Sequence, residues 1–218
     1  MACLEFFFDC SSPWTYLAFH RVQDLVRETG GAIAWRPILV GGVFNAINPD
    51  VYAQRAKMPD RLAQGETTGA GRKARYYLKD LADWARFTGL SIGQPEVFPV
   101  NSVKAMRGCL VADRHGRLVA FARATFEAYW GDLQDISQDA AIAAIAQRAG
   151  LDAGALLEEI ATPAVKQALR ENTEELIERG GFGSPTMFVD GDDMYFGNDR
   201  LELVAAALRR AGDADATP

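Results

Sequence analysis

Hydrophobic positions along this chain change their spacing from stretch to stretch, and the changes mark out its elements. Leu4, Phe6, Phe7 and Phe8 form an apolar run interrupted by Glu5, the pattern of a buried strand. The run stops at Asp9-Cys10-Ser11-Ser12, and after Pro13 a helical period carries Tyr16, Leu17, Phe19, Val22, Leu25 and Val26. Proline suits the first helical position, because its missing N–H is one that a helix start leaves unpaired, so Ser12 is the predicted cap. Glu28-Thr29-Gly30-Gly31 ends this period, and residues 32–37 are predicted as a second strand, parallel to the first through a right-handed crossover. The stretch from Ile38 to Phe44 leads into a predicted loop at Asn45, Asn48 and Pro49, with Gly41 and Gly42 permitting a tight turn or a close approach. Residues 58–72 hold Pro, Gly and Thr and little periodic apolar content, which predicts a mobile excursion.

Periodicity returns over residues 73–88, with Tyr76, Tyr77, Leu81, Trp84 and Phe87 as the predicted apolar face, whose plain role is core packing, and Gly89 as the stop. Residues 92–99 contain two prolines and are expected to be extended, after which Asn101 or Ser102 caps a helix through Met106, Leu110 and Val111. Helical patterns then cover residues 118–130, 137–148, 152–160 and 163–179. The end returns to strands: residues 186–190, a hairpin turn at Gly191-Asp192-Asp193, a return strand at 194–196, and Gly197-Asn198-Asp199-Arg200 opening a last helix. Residues 211–218 have the composition of a frayed end. Two strands at the start and a hairpin near the end can bury their apolar faces only in one mixed sheet. The predicted fold class is therefore α/β, with residues 1–45 and 180–218 forming one discontinuous domain and residues 46–179 an inserted helical domain. Loops on one edge of such a sheet converge, which places the Ser12 turn near Ser184-Pro185.

Composition narrows the chemistry. The net charge of −6 and the lack of any basic tract longer than Arg72-Lys73-Ala74-Arg75 argue against a nucleic-acid partner. Cys3, Cys10 and Cys109 are an odd number without a Cys-x-x-Cys pair, so neither a disulfide framework nor a thiolate metal site is expected, and the chain reads as reduced and cytoplasmic. The N-terminal apolar run is broken by Glu5 and Asp9 and has no basic flank, so no signal peptide is expected, and no apolar stretch reaches membrane-spanning length. His20 and His115 are the only histidines, too few for a histidine metal site and without the neighbours of a Ser-His-Asp triad. His20, four residues past Tyr16 on the helix, is expected to be a structural or surface residue. Ser12 has two readings: a helix cap and nothing more, or a hydroxyl placed where free amides and the helix dipole stabilise an anion.

Six segments carry a resemblance. Phe8-Asp9-Cys10-Ser11-Ser12-Pro13-Trp14, Gly41-Gly42-Val43-Phe44, residues 73–84, Phe98-Pro99-Val100-Asn101-Ser102 with Met106-Arg107, Gly181-Phe182-Gly183-Ser184-Pro185-Thr186, and Phe196-Gly197-Asn198-Asp199-Arg200-Leu201 occur in that order. Together, over residues 5–208, they resemble the 2-hydroxychromene-2-carboxylate isomerases and the kappa-class glutathione transferases. That resemblance implies a thioredoxin-like fold with a large all-helical insertion, related to bacterial disulfide oxidoreductases whose active turn is Cys-Pro-x-Cys. Here the turn reads Ser12-Pro13-Trp14-Thr15, so dithiol exchange between those positions is excluded: it needs an attacking thiolate and a resolving thiol. Cys10, at the strand end, is expected to be a buried structural thiol.

Carried over residue by residue, the resemblance implies that Ser12 is the catalytic serine, donating its hydroxyl to the thiolate of bound glutathione. Ser184-Pro185 matches a cis-proline turn whose backbone pairs with the cysteinyl backbone of glutathione. Asn198, Asp199 and Arg200 match the segment that receives the γ-glutamyl end, where the plain alternative is a helix cap and a surface salt bridge. Lys73 matches a lysine near the glycine end, and Asn48 a loop asparagine. The sequence departs from the family at Asn45-Ala46-Ile47-Asn48-Pro49, over residues 57–72, and at Asp83, where the family commonly has arginine; these departures bear on the second-substrate pocket. The implied activity is a glutathione-dependent isomerisation of 2-hydroxychromene-2-carboxylate or a related aromatic keto acid by reversible thiolate addition. A kappa-like transferase or peroxidase acting on another electrophile is the neighbouring alternative, and a noncatalytic thioredoxin-like binding protein the alternative of another class. Glutathione is the implied cofactor, no metal is implied, and family members often form homodimers.

Overall fold

The computed structural model describes residues 2–65 and 67–215. Strand β1 (Cys3–Phe8) runs parallel to β2 (Ala32–Pro37) and antiparallel to β3 (Thr186–Val189), which pairs with β4 (Asp193–Phe196), giving one four-stranded mixed sheet in the order β2-β1-β3-β4. The crossover from β1 to β2 is helix α1 (Pro13–Glu28), which starts at Pro13 with Ser12 as its cap. Period-two alternation sorts the side chains of β1 onto two faces. Leu4, Phe6 and Phe8 face the main core, where Trp35 and Phe19 pack around Phe6 and Phe8 with ring centroids 5.0 to 6.1 Å apart. Phe7 faces the other side, against Ile38, Val43, Leu176 and Phe188.

Glu5 interrupts the apolar run because it shares the Phe7 face near the edge of that smaller cluster. Its carboxylate accepts from Arg36 at 3.1 Å and Arg179 at 2.8 Å, and the Arg179 guanidinium lies 3.8 Å from the centre of the Phe188 ring. Burial alone would raise the Glu5 pKa, but hydrogen bonds and charge from Arg179 and Arg36 outweigh it and hold the group below its ordinary 4.5.

Between β2 and β3 the chain is helical. After α2 (Val40–Ile47), α3 (Asp50–Ala56) and α4 (Met58–Ala63) come α5 (Gly69–Thr88), α6 (Val103–Arg114) and α7 (Leu118–Phe126), which continues into a wider π turn at Glu127–Gly131. Helices α8 (Asp139–Arg148), α9 (Ala153–Glu159) and α10 (Pro163–Glu178) follow, and α11 (Leu201–Asp215) closes the chain after a 3-10 turn at Asn198–Arg200. One buried cluster runs without a break from Leu4 and Phe8 through Met106, Phe121 and Ile145 to Val204 and Leu208. Helices α2 and α10 pack together over the face of the sheet that carries Phe7.

Several local expectations change. The loop expected at Asn45, Asn48 and Pro49 is in part helix, since α2 runs to Ile47 with Asn48 as its C-cap, and of the two roles open to Gly42 it takes the close approach: a Cβ there would stand 3.3 Å from Thr173 of α10. Residues 58–72 are not an irregular excursion but α4 and the start of α5, capped by Thr68, whose hydroxyl accepts from Gly71 N–H at 3.0 Å. A Cβ on Gly71 would lie 2.1 Å from the Gly65 carbonyl, so a residue read as a breaker permits the contact that holds this corner. The aromatic face of α5 is not core, since Tyr76 is 63% and Phe87 75% exposed. Its contacts are peripheral: Tyr77 meets Trp14 edge-on at 5.6 Å, and Arg21 lies 5.2 Å from the Trp84 ring centre. At the end of the chain α11 continues to Asp215, and residues 216–218 of the expected frayed tail lie outside the described residues.

Two predictions come from this packing. A Cβ on Gly108 would fall 2.4 Å from the Phe121 ring, so Gly108→Ala overpacks the α6–α7 crossing and is expected to cost about 1–3 kcal/mol, read by urea unfolding. Because the Glu5 pKa is lowered on folding, its ion pairs stabilise the protein above pH 4.5 and that share is lost as pH falls through the lower folded value. Glu5→Gln should therefore flatten the acid limb of the stability–pH curve; a mutant limb as steep as that of the parent protein rules this out.

Candidate active site

The centre of interest is where β1 hands over to α1. Ser12 has extended backbone dihedrals and its hydroxyl accepts from Thr15 N–H at 3.3 Å, as a helix cap should. The same hydroxyl donates to the Ser184 carbonyl at 3.1 Å, across 172 residues of sequence. Ser184-Pro185 is a cis peptide, so the expected turn is present and lies directly against Ser12. Thr15, fully buried, places its hydroxyl 2.7 Å from the Ser184 hydroxyl, which also accepts from Asp9 N–H at 2.9 Å. Positions 12 and 15, where a redox relative carries cysteines, thus bring two hydroxyls to the two polar ends of one serine. Among the described hydrogen bonds, none uses the Ser184 N–H.

Asp9 lies behind this turn and is 1% exposed. One carboxylate oxygen accepts from Ser11 N–H at 2.9 Å; the other accepts from Val40 N–H at 2.9 Å and the Ser102 hydroxyl at 3.0 Å. Burial pushes its pKa up, and the Ser11, Val40 and Ser102 hydrogen bonds oppose that rise. Of the two residues expected to cap α6, Asn101 makes the side-chain contact, accepting from Val103 N–H at 3.1 Å, while the Ser102 hydroxyl is committed to Asp9. Cys10 is fully buried, as expected. Its amide donates to the Met106 sulfur at 3.3 Å and its carbonyl accepts from the Trp130 indole at 3.0 Å, the indole being delivered by the π turn. Burial drives the Cys10 thiol well above its ordinary pKa, with the Cys109 thiol and Asp9 acting in the same direction, so it is an unreactive packing group.

The other anticipated residues fall at graded distances from Ser12. Gly197 N–H donates to the Pro185 carbonyl at 3.1 Å, which fastens the Asn198 turn beside the cis-proline. Asn198 is 4% exposed, its carbonyl accepts from Arg21 at 3.2 Å, and its side-chain nitrogen is buried without a hydrogen-bond partner. Asp199 and Arg200 are about half exposed, 50% and 51%, and pair with each other. Lys73 is exposed on α5, where with Arg72, Tyr76, Tyr77 and Asp80 it lines a hollow of about 400 Å³ that Tyr77 links to Trp14. Asn48 is exposed at the end of α2, and among the described residues no side-chain contact joins it to the Ser12 turn. Asp83 pairs with Lys79 and Arg86 on the outer side of α5. His20 is exposed, and the described residues contain no group of three or more His, Cys, Asp or Glu side chains able to hold a metal ion.

Sequence reading missed the connecting residues. Asp9, Thr15, Arg21 and Trp130 each belong to an element that was located, but their partners lie 31 to 177 positions away, and no local period signals such a pairing. The one available signal was chemical: an aspartate closing a strand of phenylalanines must be buried, and a buried carboxylate requires donors.

Comparison with known proteins places this geometry. The model of the DSBA-like thioredoxin domain matches residues 3–209. A 2-hydroxychromene-2-carboxylate isomerase of Sphingobium xenophagum is 31% identical over 207 residues, covering 94% of this chain and 97% of the relative. Glutathione S-transferase kappa 1 of Homo sapiens is 31% identical over 220 residues, covering 94% and 90%. A solved structure of a 2-hydroxychromene-2-carboxylate isomerase superposes with a TM-score of 0.80 at 28% identity, covering 99% of this chain and 100% of that one.

Thr15→Val keeps the shape of the side chain but strips the buried Ser184 hydroxyl of one of its two partners, leaving only the Asp9 N–H. It is expected to destabilise the protein by about 1–3 kcal/mol in chemical denaturation, and a change near zero would show that this bond is dispensable.

Proposed function

The chain belongs to the DSBA-like thioredoxin domain family, together with the 2-hydroxychromene-2-carboxylate isomerases and kappa-class glutathione transferases, and from that membership we propose that it is a glutathione-dependent isomerase of 2-hydroxychromene-2-carboxylate or a related aromatic keto acid. The observation that carries this reading is the Ser12 hydroxyl, held at a helix N-terminus and aimed across the cleft at the residue preceding a cis-proline.

The surroundings fit glutathione. The N–H of Ser184 is without a partner and suits a cysteinyl carbonyl, as one residue of a strand pairs with the next. The unpaired side-chain nitrogen of Asn198, with the start of the following turn, suits a γ-glutamyl carboxylate, and a buried donor left unmet is otherwise costly. Asp199 would take the ammonium, Arg200 would orient the acid, and Lys73 would meet the glycine carboxylate, with Asn48 as the outermost member of the set. When bound, glutathione supplies the nucleophilic sulfur that adds to a conjugated carbon and later leaves, so that a double bond becomes a freely rotating single bond in between.

This chain's own residues set up that sulfur without a histidine base. Ser12 turns its hydroxyl from the Ser184 carbonyl towards the thiolate, while Thr15 N–H and the N-terminal dipole of α1 add positive potential, which lowers the thiol pKa. The hydroxyls at positions 12 and 15 cannot form a disulfide, so the sulfur anion is held and released rather than captured. The basic and aromatic hollow beside Trp14, with Arg72, Tyr76 and Tyr77, offers a flat apolar surface and a cation to an aromatic acid. Homodimer formation is part of this reading, the exposed Tyr76, Leu78 and Phe87 of α5 supplying apolar surface for it. So is a cytoplasmic location, where glutathione is reduced; among the described residues no helix is long and apolar enough to cross a membrane. We also read residues 1–45 and 180–218 as the thioredoxin-like unit and 46–179 as its helical insertion.

Calorimetry should detect glutathione binding, with the ultraviolet absorbance of a thiolate growing near neutral pH. Ser12→Ala should lose about 10²–10³-fold in kcat/KM for ring-opening isomerisation, the scale of one pre-organised donor removed. Products of unchanged mass and altered geometry support isomerisation, whereas a glutathione adduct or oxidised glutathione assigns transfer or peroxide reduction. Full activity in Ser12→Ala refutes Ser12 as the donor to the thiolate, and a protein with neither glutathione binding nor activity is the noncatalytic binding protein.

A further inference from the structure

Asp9, like Thr15, touches both walls of the cleft, and it alone of the two also reaches the starts of α2 and α6. Its N–H donates to the Ser184 hydroxyl at 2.9 Å, fixing the cis-proline wall, and its carbonyl accepts from Ser12 N–H at 3.2 Å, fixing the serine itself. Its carboxylate holds Ser11 N–H at 2.9 Å and, through the second oxygen, Val40 N–H at the start of α2 and the Ser102 hydroxyl ahead of α6, at 2.9 and 3.0 Å. Every polar group of the residue is used, and each bond ends on a different part of the site or its support.

We propose that Asp9 is a positioning residue that sets the direction of the Ser12 hydroxyl by locking the active turn, the cis-proline loop and the first turns of α2 and α6 into one register. The proposal rests on the reading of Ser12 as donor to a glutathione thiolate. The physical argument is one of alternatives. A hydroxyl has three staggered rotamers, and only one aims at the cleft between Ser12 and Ser184. Its aim is inherited from the backbone of residues 9–12. The neighbouring amide and carbonyl of Cys10 bond to Met106 and Trp130 and not to the Ser184 loop, and so do not define the width of the cleft. That width is set where Asp9 N–H meets the Ser184 hydroxyl and Asp9 carbonyl meets Ser12 N–H, together with the direct Ser12–Ser184 bond and the Thr15 bridge between them.

The carboxylate is needed because it accepts from three donors at once. A carboxamide of the same shape has a single acceptor oxygen and an NH₂ that must point at one of them. Ser102 can turn its hydroxyl to accept from that NH₂, but the backbone amides of Val40 and Ser11 cannot. In either orientation of the amide, one of those two N–H groups is faced by another donor. Asp9→Asn therefore loosens either the turn or the start of α2 while leaving volume and packing unchanged.

The test measures the pH midpoint of thiolate absorbance in the glutathione complex of the full-length protein. Removing a negative charge beside the sulfur would by itself lower that midpoint, whereas misdirecting the Ser12 donor raises it, so the sign separates the two effects. Asp9→Asn is expected to raise the midpoint and to lower kcat by about 10²-fold with a smaller change in KM, since a donor displaced by a fraction of an ångström is lost in the transition state more than in binding. Ser102→Ala removes one bond to the carboxylate from outside the turn and should shift the midpoint the same way by less. A midpoint unchanged or lowered in Asp9→Asn overturns the proposal. Should that variant not fold, an unshifted midpoint in Ser102→Ala overturns it equally. If the parent protein shows no thiolate band, it is the glutathione reading that fails; a band in the parent that the variants leave untouched refutes only the role of Asp9.

Discussion

A helix that begins inside a protein, at the end of a buried strand, has to satisfy its first amides without water. That constraint shapes the molecule around residue 12. Phe6, Phe7 and Phe8 draw the end of β1 into the core, so Asp9 and Cys10 are buried with it and Ser11 and Ser12 are half-buried. Pro13 removes one amide donor, Ser12 takes the Thr15 N–H, and Asp9 takes those of Ser11 and Ser12. A carboxylate drawn into the core for this purpose must itself be saturated, and Val40 and Ser102 complete its set. The polar cluster that results is continuous, and its open end is the Ser12 hydroxyl.

The same cluster explains how the helical segment and the sheet act as one body. Helices α2 and α6 approach the turn with their N-terminal ends, where Asp9 supplies the negative charge that helix starts favour. Met106 and Trp130 satisfy the Cys10 backbone from α6 and from the π turn, so these helical elements brace the active turn through Cys10. The wider turn at Glu127–Gly131 matters here, because one extra residue in the helix rotates Trp130 towards the Cys10 carbonyl and Tyr129 towards the Val97 carbonyl. Apolar packing supplies the cohesion, and the polar cluster supplies the register.

Replacing a dithiol by two hydroxyls changes what the fold can do. Ser12 and Thr15 stabilise charge and cannot exchange sulfur, while Cys10 and Cys109 are sealed in the core with Cys10 driven away from ionisation by burial. Sulfur chemistry between positions 12 and 15 has to use a thiol brought from outside, and among the described residues the Ser184 N–H and the buried Asn198 side-chain nitrogen have no hydrogen-bond partner. Along α5 the rings of Tyr76 and Phe87 remain at the surface.

Much of this was legible from the chain alone. The strand-helix-strand opening, the Ser12 cap, the closing hairpin and the helix that follows are local features, written in periods of two and 3.6 residues and in the conformational limits of proline and glycine. The ordered motifs carried the family and the candidate serine. What the chain could not show was which glycines break structure and which allow contact, as Gly42 and Gly71 do, or that the aromatic stripe of α5 would stay outside. Those outcomes depend on what lies across the gap, and that is decided by tertiary packing. The sequence by itself determined that a polar turn would end a buried strand at a helix start. Only the folded chain decided that Asp9 would join Ser12, Ser184, Val40 and Ser102, because a buried carboxylate is satisfied by whichever donors the packed elements bring within reach.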